Sequence, residues 1–401
     1  MTQFDSKAFR QHFPALSAGE TYLDSAATAL KPQPVLTATE DVYRLAQGNV
    51  HRSSYRQAQS LTGRYELARQ HMARWLGAPR AEDIVWTRGT TESLNLVAQS
   101  YARPRLRPGD DIVVAESEHH ANLVPWLMVA QQTGARVVKW LIGADLLPDK
   151  RQLSALLSER TRIVALSQMS NVTGGCPDLP DIIAQVRRTP AVVVVDGAQG
   201  AVHGRPDVAA LDIDFYAFSG HKLYGPTGIG VLYGKTELLA AMPPWQGGGK
   251  MLSTVSFNEV VPAPPPHRFE AGTPNIAGVV GLDAALGWLA QQDMTAAEAW
   301  SVSLADNAHQ RLSRLAGFRA FRCPGSPLLS FAFDGIHHQD IAQVLAQSGV
   351  AVRAGQHCAQ PLMAALGVPG TVRASFAPYN ACADVDRLVE ATAAALALFS
   401  E

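Results

Sequence analysis

Lys222 and Asp196 are of residue types that could hold and activate a carbonyl cofactor. Lys222 lies in SGHKLYGPTGIG, where a loop leaves a predicted strand at the sheet edge that binds ligands in open α/β folds. A lysine in a partly apolar site can form a Schiff base. Asp196 ends the run VVVVD, and a carboxylate there could face the ring nitrogen of pyridoxal phosphate, with Gln199 on the ring hydroxyl. Taken alone, a solvated lysine and a helix-capping aspartate remain alternatives.

A phosphate site is predicted at the start of the helix in RGTTESLNLV. Thr90 and Thr91 directly precede its amphipathic part, so backbone N–H groups and two hydroxyls lie at a helix N-terminus, which favours anions. Ser219 and His221, which flank the lysine, add further donors. A simple threonine cap is the alternative when this motif is considered alone.

The adjacent histidines in DIVVAESEHHANLVPW follow another predicted strand. His119 could stack on a cofactor ring and shuttle protons. A zinc site built from Glu118, His119 and His120 is a competing interpretation. We disfavour it because adjacent histidines on a loop rarely both bind one metal and no further ligand has a recognisable spacing, and we predict no metal.

The four cysteines, at positions 176, 323, 358 and 382, are too few and too scattered for a disulfide framework or a zinc module. Cys358 in RAGQHCAQP follows a β-like segment, and Arg353 and His357 could favour its thiolate. From the residues alone, a nucleophile and a small structural residue are equally good interpretations of Cys358. For the other three cysteines a structural role is favoured.

Short apolar runs alternate with helix-like stretches, which predicts an α/β fold. Near-continuous Val and Ile runs indicate strands buried on both faces of a mainly parallel sheet. The predicted strands are 84–87, 112–115, 163–167, 191–195, 215–218 and 229–233, with helices in 61–75, 94–101 and 179–186. A helix over 276–292 leads to a second α/β pattern with a strand at 329–333, a helix at 340–347, a β-like segment at 350–355 and a last helix from about 383. We predict a large domain over 18–288 and a small domain formed by 1–17 and 289–401.

Composition excludes several classes of protein. The 401 residues are 47% hydrophobic with a net charge of -1, whereas a nucleic-acid or anionic-membrane binder would show a basic excess. No apolar stretch approaches the roughly 18 residues of a spanning helix, and the N-terminus lacks the apolar region of a signal peptide. We therefore expect a soluble cytoplasmic protein that binds neither nucleic acid nor membranes.

Together these motifs resemble one family over nearly the whole chain, from YLDSAATALKP to VRASFAPYN. SGHKLYGPTGIGVLYG, EHHANLVPW, VDGAQ and RAGQHCAQPL are similar to the pyridoxal-phosphate-dependent cysteine desulfurases of the class V aminotransferase fold. The likeness is greatest to the group with a short active-cysteine loop, particularly the cysteine sulfinate desulfinase type. It implies an aspartate aminotransferase-like fold: a large mixed-sheet domain with helices on both faces and a smaller α/β C-terminal domain that carries the cysteine loop.

The resemblance also implies roles for the matching residues. Lys222 would bind pyridoxal phosphate covalently, with Asp196 at the ring nitrogen, Gln199 at the ring oxygen, His119 stacked on the ring, Thr90, Thr91, Ser219 and His221 at the phosphate, and Asn171 and Arg373 at the substrate carboxylate. An arginine suits that last task because its planar fork matches a carboxylate. Gly272 and Thr273 would complete the phosphate site of a second subunit, which implies a homodimer.

The implied reaction removes sulfur from L-cysteine, giving L-alanine and a persulfide on Cys358, with selenocysteine and cysteine sulfinate as further substrates. A small sulfur-acceptor protein would then take the persulfide. A kynureninase-like or epimerase-like enzyme of the same fold is the alternative, although neither needs a loop cysteine. A nucleotide-dependent dehydrogenase is disfavoured because G-x-G-x-x-G is absent. The preferred substrate, the acceptor and the destination of the sulfur stay open.

Overall fold

Two main β-sheets, each covered by helices, organise the chain. The computed structural model describes residues 4–46, 48–51 and 53–399. The strands are β1 Thr21–Tyr22, β2 Ile84–Thr87, β3 Asp111–Ala115, β4 Arg136–Trp140, β5 Thr161–Ser167, β6 Val192–Asp196, β7 Phe215–Ser219, β8 Gly230–Gly234, β9 Leu252–Val255, β10 Val260–Pro262, β11 Phe318–Ala320, β12 Leu328–Phe333, β13 Val350–Ala351, β14 Arg353–Gly355 and β15 Thr371–Ser375. The helices are α1 Ser6–Arg10, α2 Gln33–Leu45, α3 Arg56–Leu76, α4 Thr90–Leu96, α5 Arg103–Arg105, α6 Val124–Thr133, α7 Lys150–Leu156, α8 Leu179–Val186, α9 Gly200–His203, α10 Thr236–Ala240, α11 Ile276–Leu289, α12 Met294–Leu312, α13 His338–Gln347, α14 Gln360–Leu366 and α15 Cys382–Phe399.

The larger sheet has seven strands in the order β2-β8-β7-β6-β5-β3-β4. Strand β8 runs antiparallel to both of its neighbours, and the other pairings are parallel. Successive residues of the central strands pack into two separate cores: Val193 and Val195 into one, Val192 and Val194 into the other. Helices therefore cover both faces, which explains why these strands are apolar throughout and lack a polar alternation.

The smaller sheet is antiparallel, in the order β11-β12-β15-β14, and has its own core with helices α12, α13 and α15. The prediction of a large mixed sheet between helices, followed by a smaller α/β domain, is thus confirmed. Near the N-terminus, β1 pairs with β13, while Phe9 contacts Trp288 and Phe13 contacts Tyr379. The N-terminal segment therefore bridges the two sheets, and the limits 18–288 and 289–401 with 1–17 stay a prediction.

All the strands predicted from the sequence are present, with ends that differ by at most two residues, and the β-like segment 350–355 forms two short strands, β13 and β14. Helix α12, Met294–Leu312, was not predicted, and the helix predicted over 94–101 differs in extent and type. An α-helix spans Thr90–Leu96 and continues as a wider π-helical turn over Val97–Ala102. None of the helices within the described ranges is long and apolar enough to cross a membrane.

The carboxyl ends of three neighbouring strands place side chains at one sheet edge. Ser167 ends β5, Asp196 ends β6 and Ser219 ends β7, and Ser167 is the direct cross-strand partner of Asp196. Ligands in open α/β sheets bind at this edge. The strand order therefore brings residues that lie far apart in sequence to a single place.

Candidate active site

A cavity of about 320 Å³ opens at this sheet edge, between the two domains. It is lined by eleven of the residues predicted from the sequence: Thr90, Thr91, His119, Asn171, Asp196, Gln199, Ser219, His221, Lys222, Cys358 and Arg373. The sequence motifs thus converge on one site, even though each was ambiguous alone.

Lys222 ends the short 3₁₀ turn Gly220–Lys222 that follows β7. Burial, reinforced by the positive charge of Arg373, lowers the pKa of its amine to about 8, whereas Asp196 acts in the opposite direction. An amine with this pKa loses its proton as the pH rises through about 8, far below the range of an ordinary lysine, and the neutral amine is the form that attacks a carbonyl carbon. The local environment therefore activates Lys222.

Asp196 and Gln199 form the buried floor of the cavity. Asp196 is only 4% exposed, and its Oδ1 accepts a hydrogen bond from the Ala198 N–H at 2.8 Å. Burial raises the pKa of its carboxyl group, and the charge of Lys222 opposes that shift. Gln199 is held by a 2.7 Å hydrogen bond from its Nε2 to the carbonyl of Ala26. A buried carboxylate facing a buried amine suits a cationic ring nitrogen placed between them.

The start of helix α4 forms one end of the cavity. The Thr90 N–H donates to Ser219 Oγ at 2.9 Å, and the two hydroxyls are 2.8 Å apart. Strand β8 approaches this turn so closely that a Cβ on Gly230 would lie 2.4 Å from the Cα of Gly89. Thr91 is exposed and lines the same end. Hydroxyls and free backbone N–H groups at a helix N-terminus form an anion site.

His119 and His221 are both uncharged near neutral pH. Burial and the positive charge of Lys222 lower the pKa of each imidazole to about 4. His119 Nδ1 accepts a hydrogen bond from the Ala121 N–H at 3.0 Å, so its single proton sits on Nε2. His221 Nδ1 lies 3.2 Å from the Thr28 hydroxyl. A neutral ring at position 119 can stack on another aromatic ring without adding charge.

Cys358 lies in a tight turn between β14 and α14 and is exposed to solvent. His357 and Cys358 both have φ of 52°, a left-handed conformation that costs residues other than glycine roughly 1–3 kcal/mol each. Two contacts from the large domain hold the turn: the His120 N–H donates to the Cys358 carbonyl at 2.7 Å, and Asn171 Nδ2 to the His357 carbonyl at 2.9 Å.

The positive charge near Cys358 comes from two arginines, Arg353 and Arg373, both of which interact electrostatically with its thiolate. The expected contribution of His357 is wrong, because burial and Arg373 lower the pKa of that imidazole to about 3. His357 is instead a structural residue whose Nε2 lies 2.8 Å from the Thr371 hydroxyl.

Arg373 is a buried cation with spare hydrogen-bonding capacity. It is 2% exposed, its Nη1 donates to the Asn171 carbonyl at 2.8 Å, and its Nη2 lies 3.4 Å from Asp24 Oδ1. Its Nε is buried and has no hydrogen-bond partner among the described residues. Burial lowers the pKa of this guanidinium to about 10. An incompletely paired guanidinium in a cavity favours a ligand carboxylate.

Gly272 and Thr273 do not line this cavity. Gly272 N–H donates to the Gly249 carbonyl at 2.9 Å, and exposed Thr273 accepts from Asn49 Nδ2 at 3.2 Å. Both residues therefore lie away from Lys222 of their own chain.

Sequence reasoning missed three residues that support the site. Asp24 pairs with Arg353 at 2.9 Å and with Arg373, His120 holds the cysteine turn, and Glu118 is buried beneath the histidine loop. Asp24 lies in the motif YLDSAAT, whose polar residue directly after a short strand was an available signal. The Cys358 partner of His120 and the Ser167 partner of Glu118 are distant in sequence and left no local signal.

The other cysteines lie outside the cavity. Cys323 is buried, and burial raises the pKa of the Cys176 thiol to about 11, which makes it a poor nucleophile. Cys382 begins helix α15 and is exposed. Within the described part of the chain, no group of three or more His, Cys, Asp and Glu side chains is arranged to hold a metal ion.

Comparison with known proteins identifies the class to which this fold and this cavity belong. The family described as Aminotransferase class-V matches residues 21–388, and the chain belongs to that family. The chain is 62% identical to the cysteine desulfurase CsdA of Escherichia coli, over 99% of both chains, and 51% identical to a probable cysteine desulfurase of Vibrio cholerae, over 96% of both.

Solved structures similar to this chain lead to the same assignment. A crystal structure of E. coli CsdA with an S-sulfonic acid matches with a TM-score of 0.94, covering 98% of this chain and 99% of that one. The apo cysteine desulfurase of Thermococcus onnurineus, 34% identical, matches with a TM-score of 0.92 over 97% of both chains. The chain is accordingly a pyridoxal-phosphate-dependent cysteine desulfurase, as its motifs predicted.

The cavity fits this cofactor chemically. A buried lysine with a lowered pKa, a buried carboxylate on the floor and an anion site at the start of α4 match the aldehyde, the ring nitrogen and the phosphate of pyridoxal phosphate.

Proposed function

We propose that the cavity around Lys222 releases L-alanine from L-cysteine and leaves the sulfur on Cys358 as a persulfide. The observation that carries this assignment is that Lys222, Arg373 and Cys358 line the same cavity. A loop cysteine has no task in a kynureninase-like or epimerase-like reaction, so its position here favours desulfuration over those alternatives.

Each residue of the chain has a separate task. Lys222 would bind the cofactor, Asp196, Gln199 and His119 would hold its ring, and Thr90, Thr91, Ser219 and His221 its phosphate. Bound pyridoxal phosphate supplies an electron sink for the bonds at the amino-acid Cα. Arg373 and Asn171 bind the substrate carboxylate, and Lys222, once released, moves the Cα proton as a neutral amine.

Cys358 accepts the sulfur. Its thiolate forms an S–S bond with the substrate sulfur as the Cβ–S bond breaks, and the electron pair of that bond stays on Cβ, which takes a proton and becomes the methyl group of alanine. The sulfur atoms are oxidised as Cβ is reduced, so no external oxidant is needed. Arg353 and Arg373 line the same cavity and place positive charge near the sulfur of Cys358.

Selenocysteine and cysteine sulfinate fit the same carboxylate and amine contacts and carry better leaving groups. We therefore expect Cys358→Ala to abolish alanine formation from cysteine while retaining most of the activity on these two substrates. Alanine release from each substrate by native enzyme, Cys358→Ala and the control Cys382→Ala measures this. Equal loss on all three substrates would overturn the assigned role of Cys358.

The chain is proposed to act as a cytoplasmic homodimer. Gly272 and Thr273 lie away from the cavity of their own chain, which supports their assignment to the phosphate site of a second copy. A particle of twice 43.0 kDa in sedimentation is expected. Because Cys358 is exposed, a small acceptor protein with its own thiol can reach the persulfide and carry the sulfur away.

A further inference from the structure

Glu118 is a carboxyl group buried next to the active site without a defined task. It follows β3 and is 1% exposed, and burial is the largest influence on its titration. Its Oε1 accepts a hydrogen bond from the Ser167 N–H at 2.8 Å, and its Oε2 lies 2.6 Å from both the Ser167 hydroxyl and Asn122 Nδ2. Burying a carboxyl group is costly unless it is fully hydrogen-bonded, so this constellation needs an explanation.

The three contacts of Glu118 fasten the histidine loop to the sheet edge. Asn122, itself fully buried, donates to Glu118 and accepts a hydrogen bond from Trp126 Nε1 at 3.0 Å. The Asn122 N–H also donates to the His119 carbonyl at 2.8 Å. Glu118 and Asn122 therefore lie on either side of His119 and His120 in the chain. The hydrogen bonds between Glu118 and Ser167 hold this segment at the end of β5.

The histidine loop in turn holds the cysteine turn of the small domain. His120 contacts that turn twice: its N–H donates to the Cys358 carbonyl at 2.7 Å, and its Nε2 accepts from the Gln360 N–H at 3.3 Å. These contacts reach the carbonyl of the strained Cys358 and the backbone two residues after it. A shift of the loop would consequently move the ring of His119 and the Cys358 turn together.

We propose that Glu118 is a positioning residue that, through Asn122, sets the place of both His119 at the cofactor ring and the Cys358 turn. The proposal rests on the function proposed above, since it presumes that these two groups act on one substrate. It adds that a single buried carboxyl group fixes the positions of the large-domain and small-domain parts of the site relative to each other.

The chemistry of the site explains why position 118 carries a glutamate and not a glutamine. Oε1 must accept from a backbone N–H, and Oε2 must accept from Asn122. A carboxyl group can do both, whereas an amide has one acceptor and would turn its NH₂ towards one of these donors. Burial and the nearby charge of Asp196 raise the pKa of Glu118 to about 8, so the group is mostly protonated at neutral pH and can donate to the Ser167 hydroxyl.

An exchange of the two side chains tests the proposal. In Glu118→Gln alone, the new NH₂ group faces one of two hydrogen-bond donors, Asn122 Nδ2 or the Ser167 N–H. In Glu118→Gln with Asn122→Asp, the new amide donates to the new carboxylate and to Ser167 Oγ, and that carboxylate still accepts from Trp126. Glu116→Gln is the matched control, since Glu116 lies on the same loop but pairs with exposed Lys139.

The measurements, made on the cofactor-loaded enzyme, are kcat and KM for cysteine and the alkylation rate of Cys358 by iodoacetamide, with exposed Cys382 as the internal reference. For Glu118→Gln we expect kcat to fall about tenfold, KM to stay within twofold, and the Cys358 to Cys382 alkylation ratio to fall at least threefold. The double variant is expected to recover most of both losses, and Glu116→Gln to match the native enzyme.

If Glu118→Gln keeps the native kcat and the native alkylation ratio, the proposal is overturned. It is also overturned if the double variant has no higher kcat and no higher alkylation ratio than the single variant. A native enzyme that releases no alanine would instead overturn the proposed function. If Glu118→Gln does not fold, Trp126→Phe, which removes the bond that orients Asn122, provides the test: the same ratio should fall, and an unchanged ratio would contradict the proposal.

Discussion

We expect the buried carboxyl group of Glu118 to contribute less to the stability of the folded chain as pH rises. In the folded chain the group keeps its proton up to about pH 8, whereas its ordinary pKa is 4.5. Between these values unfolding releases a proton, so a higher pH favours the unfolded state. At about 1.4 kcal/mol for each pH unit, Glu118 alone should lower the free energy of unfolding by about 3 to 4 kcal/mol between pH 5 and pH 8.

Glu118→Gln isolates this contribution because an amide does not titrate, while the other ionisable groups, including nearby Asp196, are retained. At pH 5 the variant should be less stable than the native protein by roughly 1–3 kcal/mol, the cost of one unsatisfied buried donor. By pH 8 it should be as stable or more stable. Equilibrium urea unfolding at fixed protein concentration and saturating cofactor measures the difference at each pH. A difference that stays constant from pH 5 to pH 8 would refute a protonated Glu118.

Two other groups give predictions that the structure quantifies. Because burial lowers the pKa of Lys222 to about 8, the rate of cofactor uptake by stripped enzyme, followed by absorbance, should rise from pH 7 and level off near pH 9; a rise that continues beyond pH 10 would contradict an activated lysine. Arg373→Lys loses the planar fork and should raise the KM for cysteine at least tenfold, whereas Arg319→Lys, on the outer strand β11, should leave it unchanged. Equal effects of the two substitutions on KM would exclude carboxylate binding by Arg373.

The sequence allowed prediction of those site residues whose chemistry follows from local pattern. Asp196 ends a strand that is apolar throughout, and Lys222 closely follows another. Because such strands end at one edge of a parallel sheet, the proximity of the two residues follows from the sequence pattern alone. Thr90 likewise precedes an amphipathic helix. The roles assigned to these residues stay predictions, although the cavity brings them together.

The support of these residues could not be predicted, because it depends on contacts between remote segments. Asp24 reaches Arg373 across 349 positions, and His120 reaches Cys358 through backbone groups that leave no trace in residue type. The effect of His357 was misjudged for a related reason: its neighbours in the chain suggest a cation beside the thiol, whereas its burial keeps it neutral. Burial is a property of the whole fold and cannot be inferred from a loop motif.

The lowered pKa values at His119, His221 and His357 decide where the site carries charge. All three rings are neutral at physiological pH, so the fixed positive charge of the cavity comes from its arginines, while Lys222 can lose its proton. A cationic imidazole beside Lys222 would interact with negative groups in the site, and its charge would change with pH. A guanidinium does not titrate in this range. In the function proposed above, this arrangement would separate two tasks: the arginines would bind the substrate carboxylate and keep positive charge near Cys358 at any pH in this range, and Lys222 would exchange a proton with the substrate.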